Sequence, residues 1–267
     1  MKIGFLITAR LKSSRLKLKL LKPLHGRNAI ERVIDRAKEV RECDDIILCT
    51  SNSNQDLPLV RTAIKNNIYY YNGSKNDVMQ RLLEAAELFN LDYFIGITAD
   101  NPLFSICHAN LLSDMIRADP KIDFAFTTGM PIGVNMYAVK TKALQTVCQF
   151  KEEADTEIWG YLINRPEIFN VVELAVDEKY TFESTERMTL DYMEDYLVFR
   201  HIFQSFEWGE VVDILDVYDL LKDNPEINKI NAGINQLDLA DTTKQRIEVF
   251  FEQNHTKILE IKNRIYN

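Results

Sequence analysis

The chain has 267 residues, 46% of them apolar and 27% charged, so it can bury a substantial core and is expected to fold. The formal net charge of −8 argues against general binding to nucleic acid or to an anionic membrane surface, so a bound anion must be held by a local group of cations. No stretch approaches the roughly 20 apolar residues of a membrane span, the opening lacks the features of a signal peptide, and the four cysteines are scattered. We therefore expect a cytoplasmic protein with reduced thiols.

Short apolar runs alternate with amphipathic segments through the first hundred residues. Strands are predicted at 2–8, 45–50, 68–71 and 93–98, and helices at 29–40, 57–66 and 77–89. This alternation is typical of parallel βαβ units with helices on both faces of the sheet. Ligands of such sheets gather beyond the carboxyl ends of the strands. The loop after the first strand, residues 50–52 and Asp100 should therefore meet at one crevice.

The pattern is mixed in the second half of the chain. Strands are predicted at 124–128, 136–140 and 170–175, and helices at 142–150, 194–205 and 212–222. The tail 238–265 is charged and amphipathic. We predict a main domain over residues 1–235 and a C-terminal helical extension over 236–267.

A basic loop, Ala9 to Lys22, follows the first strand and is the clearest functional signal. It holds six cations within thirteen residues and no acid: Arg10, Lys12, Arg15, Lys17, Lys19 and Lys22. The loop lacks both glycine-rich phosphate motifs, so side-chain cations would have to replace backbone amides in binding phosphate. The paired N–H donors of an arginine guanidinium and the compact charge of a lysine ammonium both bind phosphate oxygens well. An ordinary solvated basic loop is the alternative.

Five blocks in the same order resemble those of a known family. They are ARLKSSRLKLK from Ala9, CTSNSNQDLPL from Cys49, NGSKNDVMQR from Asn72, TADNPL from Thr98, and RMTLD from Arg187 followed by Glu194-Asp195. Together, over roughly residues 3–235, they resemble the sugar-activating cytidylyltransferases, and in particular the spore coat polysaccharide, SpsF-like branch.

The resemblance implies an α/β fold of the Rossmann-like nucleotidyltransferase type (GT-A-like), with three layers and a mostly parallel central sheet. It implies a homodimeric enzyme that binds CTP and Mg²⁺, couples the α-phosphate to a small acceptor, releases pyrophosphate and serves surface polysaccharide synthesis. No nucleic acid or membrane partner is implied.

Residue roles follow from the same resemblance. Lys19, Arg10 and Arg15 would be catalytic. The implied nucleotide-binding residues are Ala9, Ser13, Ser14, Thr50, Ser51, Gly73, Ser74, Asp77 and Arg81, and the acceptor-binding residues are Asn135, Thr156 and Arg187. For Asp77 and Arg81, an ordinary ion pair across one helical turn is an equal alternative.

Asp100 and Asp191 are the expected metal ligands. A hard cation such as Mg²⁺ takes only a few protein carboxylates and completes its shell with phosphate oxygens and water. Asp100 lies at a predicted strand end, and Pro102 fixes the next turn. Asp191 belongs to a segment far along the chain that would have to fold back onto this strand end. A turn or helix-capping role is the alternative for such an aspartate.

Six positions in four segments depart from the family pattern. Lys17-Leu18 replaces Pro-Gly, and Gly96 stands where an arginine is common. Asn135 and Tyr137 replace two acids, and Ala154 replaces a histidine. These changes predict an acceptor unlike the usual sugar acids. They also leave open a nucleotide-binding pseudoenzyme or assembly subunit, or a glycosyltransferase, although Asp100-Asn101-Pro102 lacks the Asp-x-Asp motif usual in that class.

Overall fold

The computed structural model describes residues 1–152, 159–182, 187–236 and 238–267. The strands are β1 Ile3–Thr8, β2 Pro23–Leu24, β3 Arg27–Asn28, β4 Asp45–Ser51, β5 Tyr69–Gly73, β6 Tyr93–Thr98, β7 Phe124–Thr127, β8 Tyr137–Lys140 and β9 Val171–Leu174. The helices are α1 Ala29–Lys38, α2 Leu57–Lys65, α3 Val78–Leu88, α4 Ile106–Ala118, α5 Thr141–Phe150, α6 Gly160–Ile163, α7 Met193–Gln204, α8 Ile214–Asp223, α9 Pro225–Lys229 and α10 Asp241–Tyr266.

Seven strands form the central sheet in the order β5-β4-β1-β6-β8-β7-β9. Strand β8 pairs antiparallel with β6 and β7, and the other pairs are parallel. The predicted α/β fold with a mostly parallel sheet is therefore confirmed. Strand β5 runs to Gly73, two residues beyond its predicted end, because Asn72 and Gly73 still pair with Thr50 and Ser51 of β4.

Both faces of the sheet are covered by helices, as predicted. Alternate residues of β1 show why: Phe5 and Ile7 belong to the core under α1, α2 and α4, whereas Leu6 belongs to the core under α3, α5 and α10. Because side chains alternate across a strand, an apolar run buried on both faces gives a three-layer fold.

Sequence reasoning missed helix α4 and the β2–β3 hairpin. Ser105 caps α4 by accepting from the backbone N–H of His108, and Ala109, Leu112 and Ile116 face the core at helical spacing. The serine cap and this spacing were the available signals. The hairpin turns through His25 and Gly26, both of which have positive φ.

Helix α10 lies against the main domain. Ile247, Phe251 and Ile258 are buried in the same core as α3 and α5. At its end, Lys262 Nζ and the Tyr266 hydroxyl donate to the buried carboxylate of Asp123, at 2.9 and 2.7 Å. The helix thus adds to that core, while the division at residue 235 stays a prediction. No helix in the described parts of the chain is long and apolar enough to cross a membrane.

Candidate functional site

Three parallel strands end side by side at one edge of the sheet. The backbone N–H of Ala9, just after β1, donates to Cys49 O at 3.0 Å, and that of Ala99, just after β6, donates to Thr8 O at 2.9 Å. Thr50 and Ser51 close β4 beside them. The convergence of the basic loop, Thr50-Ser51 and Asp100 is therefore confirmed.

The basic loop is held near its start and in its middle. Arg10 Nη1 donates to Lys75 O, and Leu11 N donates to Asp56 Oδ1 at 2.7 Å. Further along, Leu16 is buried in a third core that includes α7, α8 and Leu190. These contacts fix the loop next to the segment that carries Asp191.

Leu18 occupies a left-handed backbone conformation, with φ +52° and ψ +32°, just before the 3₁₀ turn Lys19–Leu21. That conformation favours glycine, the residue that the family resemblance has in place of Leu18. The loop backbone thus keeps a glycine-like shape although the glycine is gone. The replacement of Pro-Gly by Lys17-Leu18 predicts a less rigid loop before substrate binds, and this stays a prediction.

Asp100 and Asp191 meet at Lys19. Lys19 Nζ lies 2.6 Å from Asp100 Oδ2 and 2.8 Å from Asp191 Oδ1. A backbone hydrogen bond, Leu190 N to Asp100 O at 2.8 Å, joins the two distant segments. Two of the three predicted catalytic residues and both predicted metal ligands belong to this cluster, because Arg15 Nη2 also binds Asp191 Oδ1 at 2.8 Å.

A buried layer behind Asp191 fixes its position. Arg187 Nη2 lies 2.7 Å from Asp191 Oδ2, and Arg187 Nε lies 3.1 Å from Asp195 Oδ1. Asp195, fully buried, also accepts from the backbone N–H groups of Asp191 and Tyr192, both at 2.9 Å. Asn231 Nδ2 donates to Asp195 at 3.0 Å. Asp195 is a first-turn acid of α7 and in addition orients the proposed metal ligand.

The charges of this cluster balance. The cluster contains as many cations as carboxylates, and each cation forms an ion pair with at least one carboxylate. The cations are Lys19, Arg15 and Arg187, and the carboxylates are Asp100, Asp191 and Asp195. Burial acts to raise the pKa of Asp191, but Lys19, Arg15 and Arg187 outweigh it, and the pKa lies below its ordinary value. Burial likewise opposes the charge on Lys19, yet Asp100 and Asp191 raise its pKa. Asp191 and Lys19 are therefore both ionised at neutral pH.

The predicted nucleotide-binding turn lies at the end of β5. Arg81 is fully buried and donates through Nη1 to Ser74 O at 2.7 Å. Asp77 caps α3 by accepting from Gln80 N at 3.0 Å, and it forms an ion pair with Lys151. A Cβ on Gly73 would lie closer than 3.0 Å to the Arg81 side chain, so glycine permits this packing.

Several buried polar atoms at this edge have no hydrogen-bond partner within the described chain. They are Thr8 Oγ1, Thr50 Oγ1, Asn101 Oδ1, and Nε and Nη2 of Arg81. Unpaired buried groups are costly and rare in folded proteins. Unpaired polar atoms beside the strand ends are typical of a surface that a polar ligand or water completes.

Two of the predicted acceptor residues, Asn135 and Arg187, lie on adjoining segments, because Met188 N donates to Ile132 O at 2.8 Å. Asn135 holds its own loop, donating through Nδ2 to Met130 O at 2.9 Å and accepting from Thr127 Oγ1 at 3.2 Å. Arg187 is buried, and its guanidinium binds Asp191, Asp195 and Gln236. Thr156 and Ala154 lie outside the described residues. An acceptor role for Asn135, Thr156 and Arg187 stays a prediction, and the contacts of Arg187 give it a positioning role.

Two departures from the family pattern form one structural unit. Gly96 of β6 pairs in register with Tyr137 of β8. A Cβ on Gly96 would lie closer than 3.0 Å to the Tyr137 ring, which packs edge-on against Trp159 with centroids 5.1 Å apart. Glycine at 96 thus makes room for tyrosine at 137. The replacement of an acid by Tyr137 is explained by core packing and needs no change of acceptor.

Sequence reasoning did not single out Asp56 or Tyr192. Asp56 accepts from the Ser51 hydroxyl and from Leu11 N, and so ties β4 to the basic loop. The Tyr192 ring lies under the guanidinium of Arg15, with Cζ 5.0 Å from the ring centroid. The aspartate of QDLPL was a visible signal for the first residue, whereas the second had none.

Comparison with known proteins agrees with this geometry. Residues 5–203 match the family described as cytidylyltransferase. MJ1063 of Methanocaldococcus jannaschii is 30% identical over 240 residues, covering 88% of this chain and 97% of that protein. The spore coat polysaccharide biosynthesis protein SpsF of Bacillus subtilis is 25% identical over 233 residues, covering 84% and 95%.

A cytidylyltransferase from Leptospira borgpetersenii has the same fold, with a TM-score of 0.79 and 25% identity over 90% of this chain and 100% of that chain. The family match spans the basic loop, the strand-end residues and the segment that returns Asp191 to them. The chain therefore belongs to the cytidylyltransferase family and is a CTP-dependent nucleotidyltransferase.

Proposed function

We propose that this enzyme transfers the cytidylyl group of CTP, with Mg²⁺, to a small acceptor and releases pyrophosphate. The observation that carries the proposal is the meeting of Asp100 and Asp191 at one point beside the basic loop. They come from separate segments and are joined by a backbone hydrogen bond. A protein that only bound a nucleotide would not need this costly pairing of buried charges.

The donor set fits a divalent metal. Asp100 and Asp191 both offer carboxylate oxygens to a single position, and Mg²⁺ prefers one or two carboxylates plus phosphate oxygens. Asp100 and Asp191 would hold the metal, which would supply Lewis-acid activation of the α-phosphate. A mycobacterial protein of the same fold, Rv0371c, has been solved in complex with manganese.

The chain's own residues divide the remaining tasks. Arg10, Arg15 and Lys19 would absorb the charge that develops on the departing pyrophosphate. Thr50, Ser51 and the Gly73-Ser74 turn would contact the pyrimidine and ribose, and the unpaired Thr50 hydroxyl supports this placement. Arg187 and Asp195 would act through Asp191 by holding its carboxylate in position.

The acceptor is a sugar acid, a sugar phosphate or another phosphorylated metabolite, and the product would serve surface polysaccharide synthesis. Asn135 stands where the family pattern has an acid. This supports an acceptor with fewer groups that hydrogen-bond to a carboxylate. Tyr137 no longer counts toward this argument, because its packing against Gly96 explains it. We further propose a cytoplasmic homodimer, which sedimentation at several protein concentrations would test.

A two-part assay tests the proposal. Thermal unfolding is followed with each of the four nucleoside triphosphates plus Mg²⁺, and CTP should stabilise the protein most. Pyrophosphate release is then measured with a panel of sugar acids, sugar phosphates and small phosphorylated acceptors, with chelation of Mg²⁺ as the control. Stabilisation by no triphosphate would refute CTP binding. Stabilisation by CTP without turnover on any acceptor would favour a nucleotide-binding pseudoenzyme.

A further inference from the structure

The ammonium of Lys19 lies where the two proposed metal ligands converge. Its Nζ is 2.6 Å from Asp100 and 2.8 Å from Asp191. The Lys19 and Asp191 side chains are only 11% and 10% exposed, and Asp100 is 23% exposed. The carboxylates are therefore neutralised by a charge of the protein itself, in a setting where water screens it poorly.

A metal ion and this ammonium exclude each other. Mg²⁺ binds carboxylate oxygens at about 2.0–2.1 Å and needs a complete octahedral shell around it. An ammonium that donates to the same two oxygens fills that space and repels the cation. Asp191 offers little alternative, because its Oδ2 is already bound by Arg187 and its Oδ1 also by Arg15.

The Lys19 ammonium can leave the carboxylates of Asp100 and Asp191 only if another anion binds it. Its withdrawal into solvent would leave Asp100 without this partner, and moving a paired buried charge apart from its partner is strongly unfavourable. A triphosphate provides the missing anion at the basic loop. Since Leu20 is buried and anchors the turn, the backbone can stay while the flexible lysine side chain swings.

We propose that Lys19 closes the metal site of the free enzyme, so that the divalent cation binds only together with the triphosphate, which draws Lys19 away from Asp100 and Asp191. This inference rests on the proposed metal ligands. It makes Lys19 responsible for the order of binding in addition to its role toward pyrophosphate. It also predicts that the free protein binds a divalent cation poorly despite two adjacent carboxylates.

Binding of Mn²⁺, followed by the loss of the electron paramagnetic resonance signal of the free ion, tests the idea without turnover. The variant Lys19→Met keeps the length of the side chain and removes its charge. Lys17→Met removes the same charge from an exposed position in the same loop and is the matched control. Without nucleotide, we expect Lys19→Met to bind Mn²⁺ at least about tenfold more tightly than the wild type, or about 1.4 kcal/mol. Lys17→Met should resemble the wild type.

An unchanged or weaker Mn²⁺ affinity of folded Lys19→Met would overturn the inference, as would an equal gain in Lys17→Met. Lys19→Gln, whose amide can still donate to a carboxylate, serves as a second variant if Lys19→Met unfolds. A further arm adds CTP to the wild type. If CTP allows the wild type to bind Mn²⁺ tightly, but without CTP the Lys19 variants bind Mn²⁺ no more tightly than the wild type, closure of the site by Lys19 is refuted and the metal ligands are not. Failure of wild type and Lys19 variants to bind Mn²⁺ with or without CTP would refute the metal ligands too.

Discussion

The Gly96–Tyr137 pair allows the packing argument to be tested by a double-mutant cycle. In the wild-type background, Gly96→Ala places a methyl group closer than 3.0 Å to the distal atoms of the Tyr137 ring. The ring cannot retreat freely, because it packs against Trp159 in the core. Overpacking of this kind costs typically about 1–3 kcal/mol.

Tyr137→Leu removes the distal ring atoms and therefore the clash. In that background, Gly96→Ala should be neutral or even stabilising by about 0.5–1 kcal/mol, since alanine loses less backbone entropy than glycine in a strand. The coupling free energy between the two positions should then be at least about 1 kcal/mol, above the about 0.3–0.5 kcal/mol found for independent sites.

Urea unfolding of the wild type, both single variants and the double variant gives the four free energies of unfolding that the cycle needs. Gly160→Ala is a suitable control, because a Cβ there would meet no atom of the described residues within 4 Å. If Gly96→Ala costs the same in the tyrosine and leucine backgrounds, the two replacements are independent and the packing explanation of Tyr137 is wrong.

Four further predictions concern the site and the C-terminal helix. Asp100→Asn and Lys19→Ala should each lower kcat/KM at least about 100-fold, as expected for loss of one major electrostatic stabiliser; near-normal turnover with CTP and the true acceptor would contradict their roles. Leu18→Gly should leave the free energy of unfolding unchanged or raise it by up to about 1 kcal/mol, because glycine relieves the left-handed strain but loses more entropy on folding; a clear destabilisation in urea would argue against that strain. The pKa of Asp191 is lowered from 3.8 by folding, so its contribution to stability is present above that pH and is lost as the pH falls through the folded value; the difference in stability between wild type and Asp191→Asn should shrink toward pH 3, and a constant difference would refute the linkage. Ile258→Ala should destabilise by about 2–5 kcal/mol, since Ile258 is fully buried, and a change below 0.5 kcal/mol would show that α10 packs loosely.

Local sequence was sufficient for most secondary structure and for the position of the site. Strands such as Tyr93–Thr98 were predicted at their observed bounds, because apolar runs buried on both faces carry a strong signal. The site was placed at the strand ends because parallel strands share one carboxyl edge. Helix α4 was missed although its cap and apolar spacing were present.

Pairings between distant residues could not be read from the sequence. Lys19 as the common partner of Asp100 and Asp191 depends on how far a lysine side chain reaches in the folded chain. The same holds for Arg187, predicted as an acceptor residue and found bound to Asp191 and Asp195. Gly96 and Tyr137 looked like separate departures until strand register placed them opposite each other.

The sequence by itself determined the family and the mostly parallel sheet, since both follow from short blocks of local pattern. Only the tertiary structure decided which charge neutralises which, because that depends on distances between segments far apart in the chain. It thereby identified Lys19 as the partner of both proposed metal ligands, and it assigned Tyr137 to the core.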